Sequence, residues 1–350
     1  HKDLALLNII PSDVYPHASE TIDLMQKLIS LLMEKGFAYV GKDGSVYFAA
    51  QKFAEYGSLS GNRLENLKPG HRFEGAVDEN KNFHADWALW KIAPDTRSEL
   101  VWDSPWGKGF PGWHVECSAM SLHHLGSNVD VHTGGIDLRF PHHEDERAQS
   151  NAATGQEVVK HWVHAEHLLF EGRKMAKSTG NVVLLSDVIA KGFDPLALRL
   201  AFMQGRYRTQ MDLSWDAIKA ANTQIEKWRT KAQSATDSGF PQDLEKAFTD
   251  FVLDDLDTPR AIAVIREAEK TLKEEVFADF LIWADLFLGL DLDRAPITVE
   301  IPAEVYELVE KRNEARAAKD WAASDSLRDQ ISALGFAVKD TANGTEITAL

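Results

Sequence analysis

Apolar residues recur at helical spacing near the start of the chain and again through much of its second half. Between residues 19 and 35 they fall every three or four positions and Gly36 follows as a stop, which predicts one amphipathic helix. The residues of this stripe are Ile22, Met25, Leu28, Ile29 and Leu32. From Trp215 to about residue 293, long helical patterns predict a bundle, in which we expect Thr258 to cap a helix with Pro259 in its first turn.

Shorter apolar runs predict strands at both ends of the chain. In residues 38–48, two aromatic and β-branched runs flank a glycine-rich turn, which predicts a hairpin. Residues 60–85 are polar and lack periodicity, so they predict a loop-rich insert. Near the end, a helix pair over 303–334 is followed by strand candidates at 336–338 and 346–348, which predicts a small separate module.

The middle of the chain alternates between the two kinds of pattern. The runs at 129–132 and 163–169 are typical of buried strands, whereas the patterns at 187–189 and 196–203 are typical of helices. Such alternation predicts an α/β unit.

Composition and charge narrow the class of protein. The chain has 350 residues, of which 44% are hydrophobic and 26% charged, as in globular proteins of two or three domains. It contains neither a run of about 20 apolar residues nor a signal-peptide pattern, so we expect a soluble, cytoplasmic protein with no membrane partner. The net charge of -16 argues against non-specific nucleic-acid binding, which would have to use local positive patches.

Two single features change this picture. The chain contains one cysteine, which excludes an intrachain disulfide, so Cys117 is either a small buried hydrophobic residue or a thiol kept for its chemistry. The chain also begins at His1, in a segment typical of the middle of a domain. We therefore expect the sequence to lack an N-terminal part, either through truncation or because that part is a separate chain.

Cys117 is one of three candidate zinc ligands. It lies in the segment Gly-Trp-His-Val-Glu-Cys-Ser-Ala-Met, and Phe-Pro-His-His-Glu-Asp-Glu-Arg follows downstream. A helix starting near Pro141 would place His142 and Glu146 on one face, four residues apart. Thiolate, imidazole and carboxylate suit zinc. A buried cysteine near a helix with a solvated histidine and glutamate is the alternative; a zincin-type hydrolase is excluded because Arg147 stands where that motif needs its second histidine.

The segments 112–120 and 130–150 together resemble the cysteine-site signature of cysteinyl-tRNA synthetases. The resemblance implies that Cys117, His142 and Glu146 bind one Zn²⁺ per chain, and that a second cysteine from the N-terminal part completes the site. Because zinc binds a thiolate far better than a hydroxyl, such a site would select cysteine over serine without editing. The resemblance further implies that Trp113 walls the pocket and that Asp137 contacts the substrate ammonium. It also implies that three histidines line the site, for which packing roles stay open: His114, His132 and His143.

A second motif resembles the Lys-Met-Ser-Lys-Ser loop of class I synthetases. Residues 173–181 read Arg-Lys-Met-Ala-Lys-Ser-Thr-Gly-Asn, so Lys174 and Lys177 would flank the ATP triphosphate, with Lys177 as the main catalytic contact. Ala176 replaces the usual serine, which we expect to weaken nucleotide binding without abolishing it. The resemblance also implies ATP contacts at Gly134, Gly135 and Leu168, with Mg²⁺ accompanying ATP. The first class I signature, His-Ile-Gly-His, is not in the sequence.

The end of the chain bears on which family member this is. The cysteine ligase of mycothiol synthesis shares the zinc site and lysine loop but ends after the helical bundle, whereas residues 311–350 resemble the anticodon-binding end of cysteinyl-tRNA synthetases. An exposed tryptophan among basic residues would suit stacking on an anticodon base, with core packing of that tryptophan as the alternative. The candidate tRNA contacts are Arg316, Lys319, Trp321 and Arg328.

The resemblance thus implies an α/β plus α fold: the C-terminal part of a Rossmann-like class I catalytic domain, then a helical bundle and a small α+β anticodon-binding module. The expected segments are a connective insert region (1–95), the second half of the catalytic domain (96–190), a stem-contact segment (191–215), the bundle (216–298) and the anticodon module (299–350). The expected function is ATP-dependent charging of tRNA(Cys) with L-cysteine. The mycothiol-type ligase and a non-catalytic tRNA- or cysteine-binding paralogue remain alternatives.

Overall fold

The computed structural model describes residues 1–67, 79–175, 180–295, 302–341 and 344–349. These residues form two units, His1–Leu292 and Asp293–Leu350. Residues 68–78 of the predicted loop-rich insert and the part of the lysine loop from Ala176 to Thr179 lie outside the described residues.

Helices and strands alternate in the first half of the first unit, and helices dominate its second half. Its helices are α1 (Lys2–Leu6), α2 (Ile22–Glu34), α3 (Trp113–Leu125), α4 (Glu144–Thr154), α5 (Leu185–Ala190), α6 (Pro195–Met203), α7 (Trp215–Ala232), α8 (Gln242–Leu253), α9 (Thr258–Thr271) and α10 (Glu274–Leu288). Its strands are β1 (Ala38–Val40), β2 (Val46–Phe48), β3 (Trp87–Ile92), β4 (Gly109–Pro111), β5 (Val129–Gly135), β6 (Val159–Ala165), β7 (Leu168–Phe170), β8 (Arg173–Lys174) and β9 (Met211–Leu213).

The first core of this unit forms where α2 packs on an antiparallel sheet. The sheet has the order β1-β2-β3-β4, and the predicted hairpin is its β1–β2 pair, with Tyr39 opposite Tyr47. The apolar stripe of α2 is buried, as the periodicity predicts, and joins Phe48 and Trp90 in one cluster with residues of α3 and α4. This core therefore anchors the two helices that carry the candidate zinc ligands.

Two smaller sheets complete the α/β part. Strands β5 and β6 pair in parallel, with Val131 opposite His161, while β7 pairs with β8 antiparallel and with β9 in parallel. The run at 163–169 is not one strand, because β6 ends at Ala165 and β7 starts at Leu168. The prediction of a buried strand at 129–132 is also wrong in part, since Val131 is 52% exposed.

The second core lies within helices α6 to α10 and also includes residues of β7, β9 and α5. Its largest fully buried side chains include Trp228, Phe248, Phe277 and Phe280. The predicted cap of α9 is wrong by one residue: Asp257 is the N-cap, and its carboxylate accepts a hydrogen bond from the Arg260 amide. Thr258 and Pro259 then occupy the first turn, where proline costs no hydrogen bond.

The second unit is a helix pair with a hairpin. It comprises α11 (Ala303–Ala317), α12 (Trp321–Ala333), β10 (Phe336–Thr341) and β11 (Gly344–Ala349). The strands pair antiparallel, with Val338 opposite Ile347, and they extend further than the predicted runs. Val305, Val309, Ile331 and Phe336 form its own small core.

Candidate functional site

Cys117 is positioned by the second turn of α3. The helix starts beside β3, where a Cβ on its N-cap, Gly112, would collide with the carbonyl of Ala88. Val115 and Ala119 are buried in the core with α2, which fixes the rotation of α3. Cys117 lies at intermediate burial between these two anchors.

His142 and Glu146 are positioned by the end of β5 and the start of α4. A 3-10 turn (Ile136–Leu138) and a helical turn (Arg139–His143) connect the two elements, and the extended backbone of Phe140 bends the chain there. The predicted helix near Pro141 is therefore two pieces, with the regular helix starting at Glu144. His142 and Glu146 are 4% and 3% exposed.

Cys117, His142 and Glu146 converge on one point. Their ligand atoms all lie within 4.8 Å of one another, and Nε2 of His142 lies 2.5 Å from Oε1 of Glu146. That Glu146 oxygen is buried. Burial, with the nearby carboxylates of Glu146 and Glu116, raises the pKa of the Cys117 thiol to about 12. A divalent cation among these atoms would bind the buried Glu146 oxygen and displace the thiol proton, so the donor set fits zinc.

A second group of possible ligands shares Glu146. His132, His143 and Glu146 also place ligand atoms within 4.8 Å of one another, and Nε2 of His132 lies 3.4 Å from Oε2 of Glu146. Burial, helped by three surrounding imidazoles, lowers the pKa of His143 to about 3. Burial also lowers the pKa of His132. Neutral imidazoles therefore line this side of the carboxylate.

Trp113 and His114 lie on the other side of the cluster, at the start of α3. The Trp113 ring is 57% exposed, and its centroid lies 4.1 Å from that of His142. Nδ1 of His114 lies 2.8 Å from Nδ1 of His142. An open aromatic face beside the candidate ligands is an arrangement that can form a pocket wall.

The predicted contacts at the end of β5 sit in a crowded turn. A Cβ on Gly134 would lie 2.6 Å from Cε1 of His143, so this position excludes a side chain. A Cβ on Gly135 would collide with the Asp137 carboxylate, which itself is exposed in the following turn. Leu168 and Lys174 lie on the adjacent strands β7 and β8. Lys177 lies outside the described residues.

The candidate tRNA contacts of the second unit surround the start of α12. Trp321 is 57% exposed, which excludes the alternative that it packs in a core. The Arg316 guanidinium lies 5.6 Å from the Trp321 ring centroid and 3.2 Å from Asp340. Lys319 occupies the turn before α12 with φ of 61°, and Arg328 pairs with Asp325 at 3.1 Å.

Several residues around the cluster were not predicted. His164 on β6 lies 2.8 Å from His143, and Tyr56 donates a 2.7 Å hydrogen bond to Asp145. Tyr56 is 89 positions from its partner, and nothing local marks it. The run Glu144–Arg147 is the one signal in the sequence that could have been used. Its four charged residues follow directly after His143 and suggest a polar environment there.

Two family models match the chain. The tRNA synthetases class I (C) catalytic domain matches residues 1–223, and the cysteinyl-tRNA ligase anticodon binding domain matches residues 298–347. Curated relatives named cysteine–tRNA ligase align over nearly all of it. The proteins from Opitutus terrae and Thermus thermophilus are each 41% identical, over 98% and 97% of this chain and 76% and 75% of theirs. The protein from Chlamydia felis is 36% identical over 100% of this chain and 78% of its own.

A solved structure shares the fold. Methionyl-tRNA synthetase of Mycobacterium tuberculosis, in complex with methionyl-adenylate, superposes with a TM-score of 0.52 at 14% identity, over 83% of this chain and 75% of that one. The predicted class I fold is thereby confirmed. Among the described residues, no helix is both long and apolar enough to span a bilayer.

Proposed function

Because the chain belongs to the cysteinyl-tRNA synthetase family, we propose that Cys117, His142 and Glu146 bind the zinc ion that recognises the thiol of its amino-acid substrate. The activity of the family is ATP-dependent activation of L-cysteine and its transfer to tRNA(Cys). The observation that supports the zinc site is the convergence of a thiol, an imidazole and a carboxylate within 4.8 Å. When bound, zinc would supply coordination that favours a thiolate over a hydroxyl.

The residues around these ligands would build the cysteine pocket. The exposed Trp113 ring would cover the substrate side chain, and neutral His132 and His143 would keep that pocket free of competing positive charge. His114 would hold the ring of the ligand His142 in place through the contact between their Nδ1 atoms. The exposed carboxylate of Asp137 would bind the substrate ammonium, which leaves the carboxylate group of cysteine free to be activated.

The adjacent turn and strands would hold ATP. Gly134 and Gly135 let a nucleotide approach the backbone at the carboxyl end of β5, and the Leu168 backbone would contact adenine. Lys174 and Lys177 would stabilise charge on the phosphates as pyrophosphate leaves, together with Mg²⁺. The assignment of individual nucleotide contacts stays a prediction, as does a cytoplasmic location.

The family match of the second unit indicates which molecule accepts the activated cysteine. Its match to an anticodon-binding domain favours tRNA(Cys) over the amino sugar of the mycothiol-type ligase. We assign Arg316, Lys319, Trp321 and Arg328 to the tRNA contact, with the exposed tryptophan available for base stacking.

The experiment combines two reactions with a metal analysis. Cysteine-dependent exchange of pyrophosphate into ATP measures activation, and labelled cysteine on tRNA(Cys) measures transfer. Cys117→Ala should lose bound zinc and cysteine activation together, whereas His124→Ala, at an exposed position of the same helix, should keep both. Zinc retained by Cys117→Ala would refute the metal site. With the chain joined to its expected N-terminal part, cysteine activation followed by transfer only to an amino sugar would refute the tRNA assignment. Absence of any activation by that extended chain would favour a binding paralogue.

A further inference from the structure

A chain of polar contacts runs from the candidate ligand His142 into the protein interior. Nδ1 of His142 lies 2.8 Å from Nδ1 of His114. Nε2 of His114 lies 3.3 Å from Oδ2 of Asp145, and the Tyr56 hydroxyl donates to Oδ1 of Asp145 at 2.7 Å. The Asp145 side chain is fully buried, and that of His114 is 13% exposed. Four side chains from three separate parts of the chain therefore form this network, in which His114 connects the ligand His142 to the buried carboxylate of Asp145.

The protonation pattern of this chain follows from the direction of each contact. Nε2 of His142 faces Glu146 and must be free of a proton when it binds a metal, so the proton of the metal-bound ring would reside on Nδ1. That Nδ1–H group can donate only to an unprotonated Nδ1 of His114. The proton of His114 then lies on Nε2, where the Asp145 carboxylate can accept it. A hydrogen-bond acceptor at the inner end, Asp145, thus selects the metal-binding tautomer at the outer end.

We propose that Asp145 is a positioning residue for the zinc site, which fixes the tautomers of His114 and His142 and thereby sets the zinc affinity. This inference rests on the proposed zinc site. Asp145 acts on the candidate ligand His142 through the two imidazoles. Outer partners of ligating histidines commonly contribute about 10–100-fold to metal affinity.

Asp145 is itself held in place by the segment at residues 55–60. Besides the Tyr56 bond, the Ser60 amide donates to Oε2 of Glu144 at 2.8 Å, and Nη2 of Arg147 lies 2.9 Å from Oε2 of Glu55. Three successive polar contacts therefore attach this segment to the first turn of α4. The Tyr56 hydroxyl occupies one carboxylate oxygen, which leaves the other directed at His114.

The main test compares zinc affinities by competition with a chelator. Asp145→Leu removes the acceptor and should weaken zinc binding about 10–100-fold. Asp145→Asn retains a carbonyl oxygen that can accept from His114, so it should restore most of the affinity. Glu144→Gln is the matched control, because Glu144 is equally buried in the same helical turn but contacts Ser60 and Arg147. Its zinc affinity should equal that of the unsubstituted protein.

A spectroscopic measurement separates tautomer selection from general damage to the fold. In the zinc-loaded protein, ¹⁵N spectra of labelled histidine should show His142 protonated at Nδ1 and His114 at Nε2, and Asp145→Leu should redistribute the His114 tautomer. Should Asp145→Leu not fold, His114→Phe provides the second variant: it breaks the same chain, and combining it with Asp145→Asn should cause no further loss of affinity.

The outcomes distinguish this inference from the proposal on which it rests. If the unsubstituted protein binds no zinc, or Cys117→Ala keeps it, the zinc site itself is wrong. If Cys117→Ala loses zinc but Asp145→Leu binds it as tightly as Glu144→Gln, with unchanged histidine spectra, only the role of Asp145 is overturned.

Discussion

At the scale of single residues, the unusual feature is the burial of charge at the start of α4. All ten residues from Glu144 to Ala153 are buried, although the first four are charged. Glu144 and Asp145 accept hydrogen bonds from Ser60 and Tyr56, and Arg147 binds Glu157 at 2.9–3.0 Å. Buried charges persist where each one has a partner, so the polar sequence of α4 is compatible with an interior position.

Arg147→Met tests whether the buried charges of α4 depend on their partners. Nη1 of Arg147 lies 4.0 Å from Oε1 of the fully buried Glu144, and the variant would remove this positive charge from beside the carboxylate. We expect the free energy of unfolding to fall by about 3 kcal/mol in urea denaturation. Lys160→Met is the control, since Lys160 and Asp130 are 50% and 81% exposed and solvent screens their ion pair, so this variant should change stability little. Equal losses in the two variants would contradict the argument, and adding Glu144→Gln should recover part of the Arg147 loss.

At the scale of helices and strands, a few caps and ion pairs hold the ends of elements. Asp257 is 1% exposed, caps α9 and contacts the guanidinium groups of Arg206 and Arg260. These contacts lower the pKa of its carboxyl group, chiefly through the hydrogen bond from Arg206. One side chain therefore connects the loop after α6 to the start of α9.

Asp257→Ala should lower the free energy of unfolding by about 2 kcal/mol, because both the cap and a charge-assisted hydrogen bond are lost. Asp254→Ala removes a neighbouring carboxylate that is 63% exposed and lies 3.7–3.8 Å from the same arginines. We expect that control to change stability by less than about 0.5 kcal/mol. Urea midpoints measured on both variants check the difference. If Asp257→Ala unfolds at the same urea concentration as the unsubstituted protein, α9 is stabilised by its apolar face alone.

The ion pair between α11 and β10 should make the second unit sensitive to acid. The buried Arg312 guanidinium binds both oxygens of Asp340 at 2.8 and 2.9 Å, and this hydrogen bonding lowers the pKa of the carboxyl to about 2. The stabilisation is complete above the unfolded-state pKa of about 3.9 and is lost as the pH falls towards 2. Because the Asp340 side chain is 38% exposed, we expect a contribution of only about 1–2 kcal/mol.

Hydrogen exchange of the β10 amides measures this contribution locally. Asp340→Asn should lower their protection at neutral pH, and the difference from the unsubstituted protein should shrink below about pH 4. Asp325→Asn is the control, because Asp325 and Arg328 are 65% and 55% exposed. A difference that stayed constant down to about pH 3 would show that Asp340 acts without its charge.

At the scale of the whole molecule, the two units contain different candidate sites. The first contains the candidate zinc and nucleotide residues, and the second contains Trp321 within the matched anticodon-binding region. Trp321→Ala should weaken tRNA(Cys) binding by about tenfold, the loss expected for one stacked base, and leave pyrophosphate exchange unchanged. Tyr306→Ala provides a matched control, since Tyr306 is 54% exposed in the same unit. If both variants bind tRNA(Cys) with equal affinity in filter binding, Trp321 does not contribute to the tRNA interface.

Local patterns predicted most of the elements, because periodicity and turn residues act over a few positions. The stripe of α2, the β1–β2 hairpin and the α11–α12 pair lie where the pattern places them. The four-residue spacing of His142 and Glu146 likewise predicted that the two would face one point. The cap of α9 was missed because Asp257 and Thr258 are adjacent and both suit an N-cap.

Long-range placement could not be predicted in the same way. The exposure of Val131 depends on what covers β5, which an apolar run does not encode. The partnership of Tyr56 with Asp145 depends on folding of the whole first core, and a charged helical turn predicts solvent rather than burial. The part of the site that could not be predicted is therefore the polar support behind the ligands.

The single thiol has a practical consequence. Cobalt(II) substituted for zinc absorbs strongly when sulfur binds it, and Cys117 is the one cysteine of this chain. In the substituted chain, a sulfur band seen without substrate would come from Cys117, and any increase on adding cysteine would come from the substrate. Titrating cysteine and then serine would thus give an optical record of side-chain recognition that needs neither ATP nor tRNA.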